Sequence, residues 1–491
     1  MYILLLFSLI IANPFKPLDK TFLEKDQKQQ NLTTTIDKEK KNNTYLKKID
    51  GMEKINGLFS FFFDKSNNKY FINILPNQLE QEFLIGITRQ SGDAFMYDGS
   101  NMMSEFSFFF KQIGDRIQLI EKNTKFRASP NSPAGRSIHN HISNSIWADA
   151  KIEATNSDSL GGDILIDLNK LLLKDINGIS NTNKKLKFDK NNSYLSSIQS
   201  FPNNSELELV LHFKSSNPSY IYTLPDSRSM FHRYHISICS LLSSDNFIPR
   251  LADERVGHFT TMYQDYSDVM RESAYIRYIN KWNLKKSIPY AEMSYPVEPI
   301  VFWLENTIPL EYRPAIIEGI EAWNLAFENI GFKDAIVAKV MPDNANWNPA
   351  DVRYSTIRWM IHPGSAYAVG PSRANPYTGQ LYDADIRISA DFVRSFYGEY
   401  TEFILPVINE FSFNLETEET ATPHLHSDLC KYGDQLREEM ASAWDLLTTT
   451  GLIEGNAKEL KEFIHKGLVD LVLHEVGHTL GLRHNFKGSS I

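Results

Sequence analysis

Near its C-terminal end the sequence places His474, Glu475, His478, Gly481 and His484 in the pattern H-E-x-x-H-x-x-G-x-x-H. Histidines four apart share one face of a helix, so the imidazoles of His474 and His478 can converge on one metal ion. Glu475 sits beside them, where a carboxylate can take a proton from a metal-bound water. Gly481 suits the positive φ that ends a helix and turns the chain. The turn returns His484 as a third nitrogen. Three protein ligands leave a fourth position open on zinc, which marks a catalytic rather than a structural site. The expected cofactor is therefore Zn2+, held by His474, His478 and His484, with Glu475 as general base.

Such a motif needs a buried helix to carry it. Leu468, Leu471, Val472, Val476 and Leu480 recur at spacings near three and four, as an amphipathic helix requires. Upstream, Val301–Leu304 reads as a strand and Tyr312–Ile330 as a helix. Within that helix Ile316, Ile320, Trp323, Phe327 and Ile330 keep the helical period, and Gly331 follows as a stop. Ala335–Val340, Thr356–Ile361 and Ala384–Ser389 read as further strands, and Ser365–Gly370 as an extended segment. The order predicts a mixed sheet with a backing helix and the active helix beneath it.

Ahead of this block the texture is mostly β. Leu58–Asp64 and Tyr70–Leu75 form a hairpin pattern, followed by Glu82–Thr88, Arg116–Glu121, Asp163–Leu168, Glu206–Phe213 and Arg233–Leu242. The run Phe59-Ser60-Phe61-Phe62-Phe63 nearly repeats at Phe106-Ser107-Phe108-Phe109-Phe110, most simply as two core strands. The pairs His139/His141 and His232/His235 lack a third ligand at metal spacing and read as structural. His465, nine residues before His474, points elsewhere on its helix. Asp383, Asp385 and Asp391 match no EF-hand spacing. A Pro-punctuated stretch with Pro289, Pro296 and Pro299 suggests a boundary near residue 285. The expected fold class is α+β. An apolar N-terminal segment (1–16) and a polar linker (17–55) precede a β-rich region (56–285) and a catalytic region (286–491).

Composition bounds the partners. A net charge of −9 argues against a nucleic-acid surface, which needs a clustered basic excess. No segment after the N-terminus is long and apolar enough to span a membrane. Two cysteines, Cys239 and Cys430, make no disulfide scaffold. The apolar run Tyr2–Ala12 has the length of a signal-peptide core, so the expectation is an exported protein, periplasmic, at the cell surface or secreted.

The segments Arg250–Thr260, Tyr278–Lys285, Glu298–Asn306, Glu311–Phe332, Tyr354–Trp359 and His474–Lys487 resemble a bacterial family of exported zinc-dependent metalloproteases. Its members carry a metzincin-like catalytic domain behind uncharacterised N-terminal domains. The resemblance implies a protein or peptide substrate and repeats the zinc and general-base roles above. It also implies that Ala366, Tyr367 and Ala368 lie on a strand along the cleft rim, where substrate backbone adds as an extra strand. Metzincins have a Met-turn beyond the third histidine. The sequence reaches Ile491 without one, so the resemblance implies a catalytic domain incomplete at its C-terminus. The alternative expectation is an inactive truncated homologue that binds peptide or surface polymer.

Overall fold

The computed structural model describes residues 44–93, 97, 99–156, 162–241, 247–268, 270–363, 367–394, 432–454 and 456–485. The apolar run at 1–16, most of the expected linker, Ala366 and Cys430 lie outside them. The chain is a mixed α+β protein, rich in strand and with few helices. Among the described residues no helix is long and apolar enough to cross a membrane.

The expected β-rich region forms one antiparallel sheet of 12 strands, which runs from Glu53–Ile55 at one end to Lys187–Phe188 at the other. The alternation of apolar residues along these strands puts one face of the sheet against a single core. Phe59 and Phe83 are far apart in strand order, yet their rings lie 4.9 Å apart. The sheet therefore curls over its own core. Near its ends, the Leu58 amide donates to the Phe201 carbonyl at 2.6 Å. Phe59, Phe61, Phe62, Phe108 and Phe110 are all buried, which gives the near-repeated aromatic run its role as core strand.

The last part of the expected linker is structured instead. Thr44–Ile49 is a helix and Glu53–Ile55 a strand. Tyr45 anchors this helix: its ring is buried and its hydroxyl donates to Asn73 at 2.6 Å. Tyr45, with Leu46, Ile49 and Met52 packed beside it, gives this otherwise polar stretch an apolar face to bury.

A second sheet holds the order Ile336–Val340, Ile300–Leu304, Ser355–Met360, Leu381–Ser389, Ala368–Val369, with Ser372–Ala374 also on Leu381–Ser389. Its first three pairings are parallel and the Ala368–Val369 edge is antiparallel. The helix expected over Tyr312–Ile330 is two shorter ones, Arg313–Glu321 and Asn324–Glu328. Between them the backbone tightens to i→i+3 hydrogen bonds, such as Ala326 to Trp323 at 3.0 Å. The tighter turn lets the Trp323 indole donate to the Leu473 carbonyl at 2.9 Å. Ile316 and Ile320 are buried, while Ile330 stands exposed.

The two sheets are joined by a buried arginine. Arg373 donates to the Ile87 carbonyl (3.1 Å) and the Thr88 hydroxyl (2.9 Å), and pairs with Asp383 at 3.4 Å. Gly86 makes this possible, since a Cβ there would meet the guanidinium at 2.7 Å. Asp383 and Asp385 thus sit in a buried ionic seam. Burial and the neighbouring Asp385 raise the Asp383 carboxyl well above its usual range, with Arg373 opposing.

Candidate metal centre

The motif lies on Ala457–Thr479, a helix of 23 residues. Its start is fixed by a capping box: Asn456 accepts from the Lys458 and Glu459 amides at 3.0 and 3.1 Å, and Glu459 accepts from the Asn456 amide at 3.2 Å. Leu468, Leu471, Val472 and Val476 are fully buried along one stripe. That stripe packs on the Arg313–Glu321 helix at close range. A Cβ at Gly319 would lie 2.8 Å from both the Val469 carbonyl and the Val472 Cβ, so only glycine fits.

The helix ends at Gly481, whose φ is +98°. The Leu482 amide returns to the Gly477 carbonyl at 3.0 Å, a Schellman-type closure. This reversal carries His484 back towards the helix. The ligand nitrogens of His474, His478 and His484 all lie within 4.8 Å of one another, a group that could hold a metal. The Nε2 atoms of His474 and His484 are 3.0 Å apart. His478 Nδ1 lies 2.8 Å from the Leu482 carbonyl, so that ring nitrogen serves as donor and Nε2 is left to face a metal. Burial and the neighbouring imidazoles push His474 down to about 3. Burial also lowers His478. Both rings are therefore neutral at ordinary pH, the form in which imidazole binds metal. The donor set, its spacing and its protonation fit a zinc ion.

Glu475 is fully buried on the inner side of the helix. Burial drives its carboxyl up to about 8, opposed by the Gly370 amide and by Arg387. Gly370 follows the rim strand Ala368–Val369, and its position against the Glu475 carbonyl leaves no room for a side chain. The rim thus crosses directly over the motif helix. Of the expected substrate-binding residues, Ala366 lies outside the described residues. Tyr367 and Ala368 are both buried, and Ala368 pairs with Ile388. The outer side of that strand is approached by Gly433, where a Cβ would be 3.0 Å from the Ala368 amide nitrogen.

Several residues at this centre carry no motif. Tyr432 lies flat on the His474 ring and its hydroxyl donates to Asp470. The Trp282 indole donates to the Thr479 carbonyl at 2.9 Å. Phe259 meets His478 edge to face at 5.8 Å. The resemblance had singled out Arg250–Thr260 and Tyr278–Lys285, which contain two of them, but without assigning a role. Three of the other described histidines lie elsewhere. His232 is buried in the large sheet, His235 bonds Glu206 at 2.6 Å, and His465 bonds Glu318 at 2.9 Å.

Two family models match the chain. Residues 456–491 match the family described as Met-zincin, and residues 99–287 match a domain of unknown function (DUF5117). No curated protein and no solved structure matches. The Met-zincin match and the three-histidine group together support a metzincin-like zinc protease.

Proposed function

We propose that the chain is a zinc-dependent endopeptidase with His474, His478 and His484 as metal ligands and Glu475 as general base. The observation that carries the reading is the convergence of three imidazoles beside a buried carboxylate on one helix end. The mixed sheet supports a metzincin-like catalytic fold, because its antiparallel edge strand crosses above the motif helix. Bound at the three imidazoles, zinc supplies Lewis-acid polarisation of a peptide carbonyl and makes a water molecule more acidic.

The protein's own groups do the rest. The Leu482 carbonyl fixes the tautomer and tilt of His478. Glu475 takes a proton from the attacking water on a carboxylate oxygen and gives it to the departing amine nitrogen. Without a metal, burial holds this carboxyl protonated near neutral pH; a cation bound at the three imidazoles would favour the ionised form, which is the one that accepts the water's proton. The rim strand Ala368–Val369, with Tyr367 just before it, offers backbone groups for an extended substrate. The apolar run Tyr2–Ala12 supports an exported protein.

The deciding experiment pairs zinc content by mass spectrometry with casein cleavage, for wild type and Glu475→Gln. Stoichiometric zinc in both, with cleavage by wild type alone, is the expected result. Equal cleavage by both would remove Glu475 from its role, and absence of zinc would remove the metal centre.

A further inference from the structure

The third ligand is held from outside its helix. The helix's own hydrogen-bond ladder closes with the Leu482 amide on Gly477. Beyond that point the backbone of the turn bonds to a distant part of the chain. The Phe259 amide donates to the Gly481 carbonyl at 2.8 Å, and the Arg483 amide donates to the Gly257 carbonyl at 3.1 Å. Between these two bonds His258 and Leu482 face each other as an antiparallel bridge. Gly257-His258-Phe259 is thus a short strap laid along the turn that ends in His484.

The strap is itself braced. The Asn280 amide donates to the Phe259 carbonyl at 2.8 Å, and the Asn280 carbonyl fills the space that a Cβ at Gly481 would need. Phe259 acts twice, with its amide on Gly481 and its ring against His478. Residues 257–259 and 280 lie within the stretch that matches the domain of unknown function. His484 itself is exposed and follows the last residue that the strap ties down. An imidazole on a loose tail must be ordered when it binds metal, whereas a strapped one is already in place.

We infer that this region is a built part of the metal centre, in which the Gly257–Phe259 strap positions His484 and sets how tightly the metal is held. The inference rests on the zinc-site reading above. Phe259 is a positioning residue here.

The test uses the full chain and measures Zn2+ affinity by competition with a chromophoric chelator, with Co2+ absorption as a reporter of coordination. Phe259→Pro removes the amide donor and should weaken zinc about 10- to 100-fold, the usual cost of losing support behind a ligand. It should also dim the visible Co2+ band of a four-coordinate site. Phe259→Ala keeps the amide and removes only the ring against His478, so it should weaken zinc clearly less than Phe259→Pro does. In a His484→Ala background Phe259→Pro should cost no more than Phe259→Ala does, because the ligand that the amide positions is gone. If Phe259→Pro does not fold, judged by circular dichroism and by exposure of the Cys239 thiol, Gly481→Ala tests the same turn from the other side. It should weaken zinc in the wild-type background and not in His484→Ala. Wild-type zinc affinity in a folded Phe259→Pro or Gly481→Ala protein would overturn the inference. So would an equal loss with and without His484. A wild-type chain that binds no zinc would instead overturn the metal-site reading beneath it.

Discussion

The Tyr432 ring lies face to face on the His474 imidazole, with centroids 3.8 Å apart and planes within 3°. Its neighbour Gly433 approaches the amide of Ala368 on the rim strand. The start of the Tyr432–Thr449 helix therefore bridges a proposed metal ligand and a proposed substrate edge. A substrate strand that adds to this edge must displace the Tyr432–Gly433 turn. Stacked aromatic pairs contribute about 0.5–1.5 kcal/mol beyond burial. Tyr432→Ala should therefore raise kcat/KM for an unstructured peptide by roughly two- to tenfold, mainly through KM. A fall in kcat at unchanged KM would instead mean that the ring holds His474 in its productive orientation.

Glu475 links stability to pH in the metal-free protein. Its folded value, about 8, lies above the ordinary glutamate value of 4.5. The folded state therefore holds the proton more tightly, and the stabilisation is present below the unfolded value and lost as pH rises through about 8. Chelator-treated wild type should lose about 2 kcal/mol between about pH 6.5 and pH 8, above the range in which the histidines titrate, whereas Glu475→Gln should vary much less and melt higher at pH 8. Thermal melts across that range decide it. Identical pH profiles would mean that the carboxyl is solvated in solution.

The ligand histidines run the opposite way. Burial lowers both His474 and His478, and a depressed histidine contributes stability above its unfolded value that is lost as pH falls through its folded one. Metal-free protein should therefore weaken steadily below about pH 6.5. Replacing either residue with alanine should remove that slope in part, and should abolish zinc binding and cleavage. Zinc retention measured after dialysis at stepped pH should fall over the same acidic range.

Arg373 is the cation of the buried seam between the two sheets. Arg373→Met leaves Asp383 buried without its partner, which typically costs about 3–5 kcal/mol. Urea unfolding should show this as a lower midpoint. A joint Arg373→Met, Asp383→Leu replacement should recover much of the loss, as apolar substitutes for buried ion pairs often do. No recovery would mean that the Ile87 and Thr88 contacts carry the seam.

The local chemistry of the centre was legible because i and i+4 spacing and a helix-ending glycine fix geometry within one element. His474, His478 and Gly481 needed no information from elsewhere. Most strands of the second sheet were legible as short apolar runs, and its central strands are buried on both faces rather than alternating. The strap at Gly257–Phe259 was not, since its work is done by backbone amides and carbonyls, which every residue has. Tyr432 was hidden because its partner comes 42 positions later, and nothing local distinguishes a stacked tyrosine from a core one. The tightened turn at Ala322–Trp323 escaped because Trp323 answers to the Leu473 carbonyl rather than to its own helix. The seam was concealed by composition: Asp383 and Asp385 look like surface residues until their buried partners, Arg373 and Thr356, are placed.

The strap and the turn that it holds are made at very different times. A ribosome adding roughly 5–20 residues per second finishes Phe259 about 10–45 seconds before it reaches His484. During that interval the strand Thr260–Asp265 that follows the strap can pair with Tyr275–Ile279 and hold the strap out with no ligand beside it. On the reading proposed above, zinc capture therefore follows the strap, when the turn at Gly481 docks onto a receptor that its own chain has already folded.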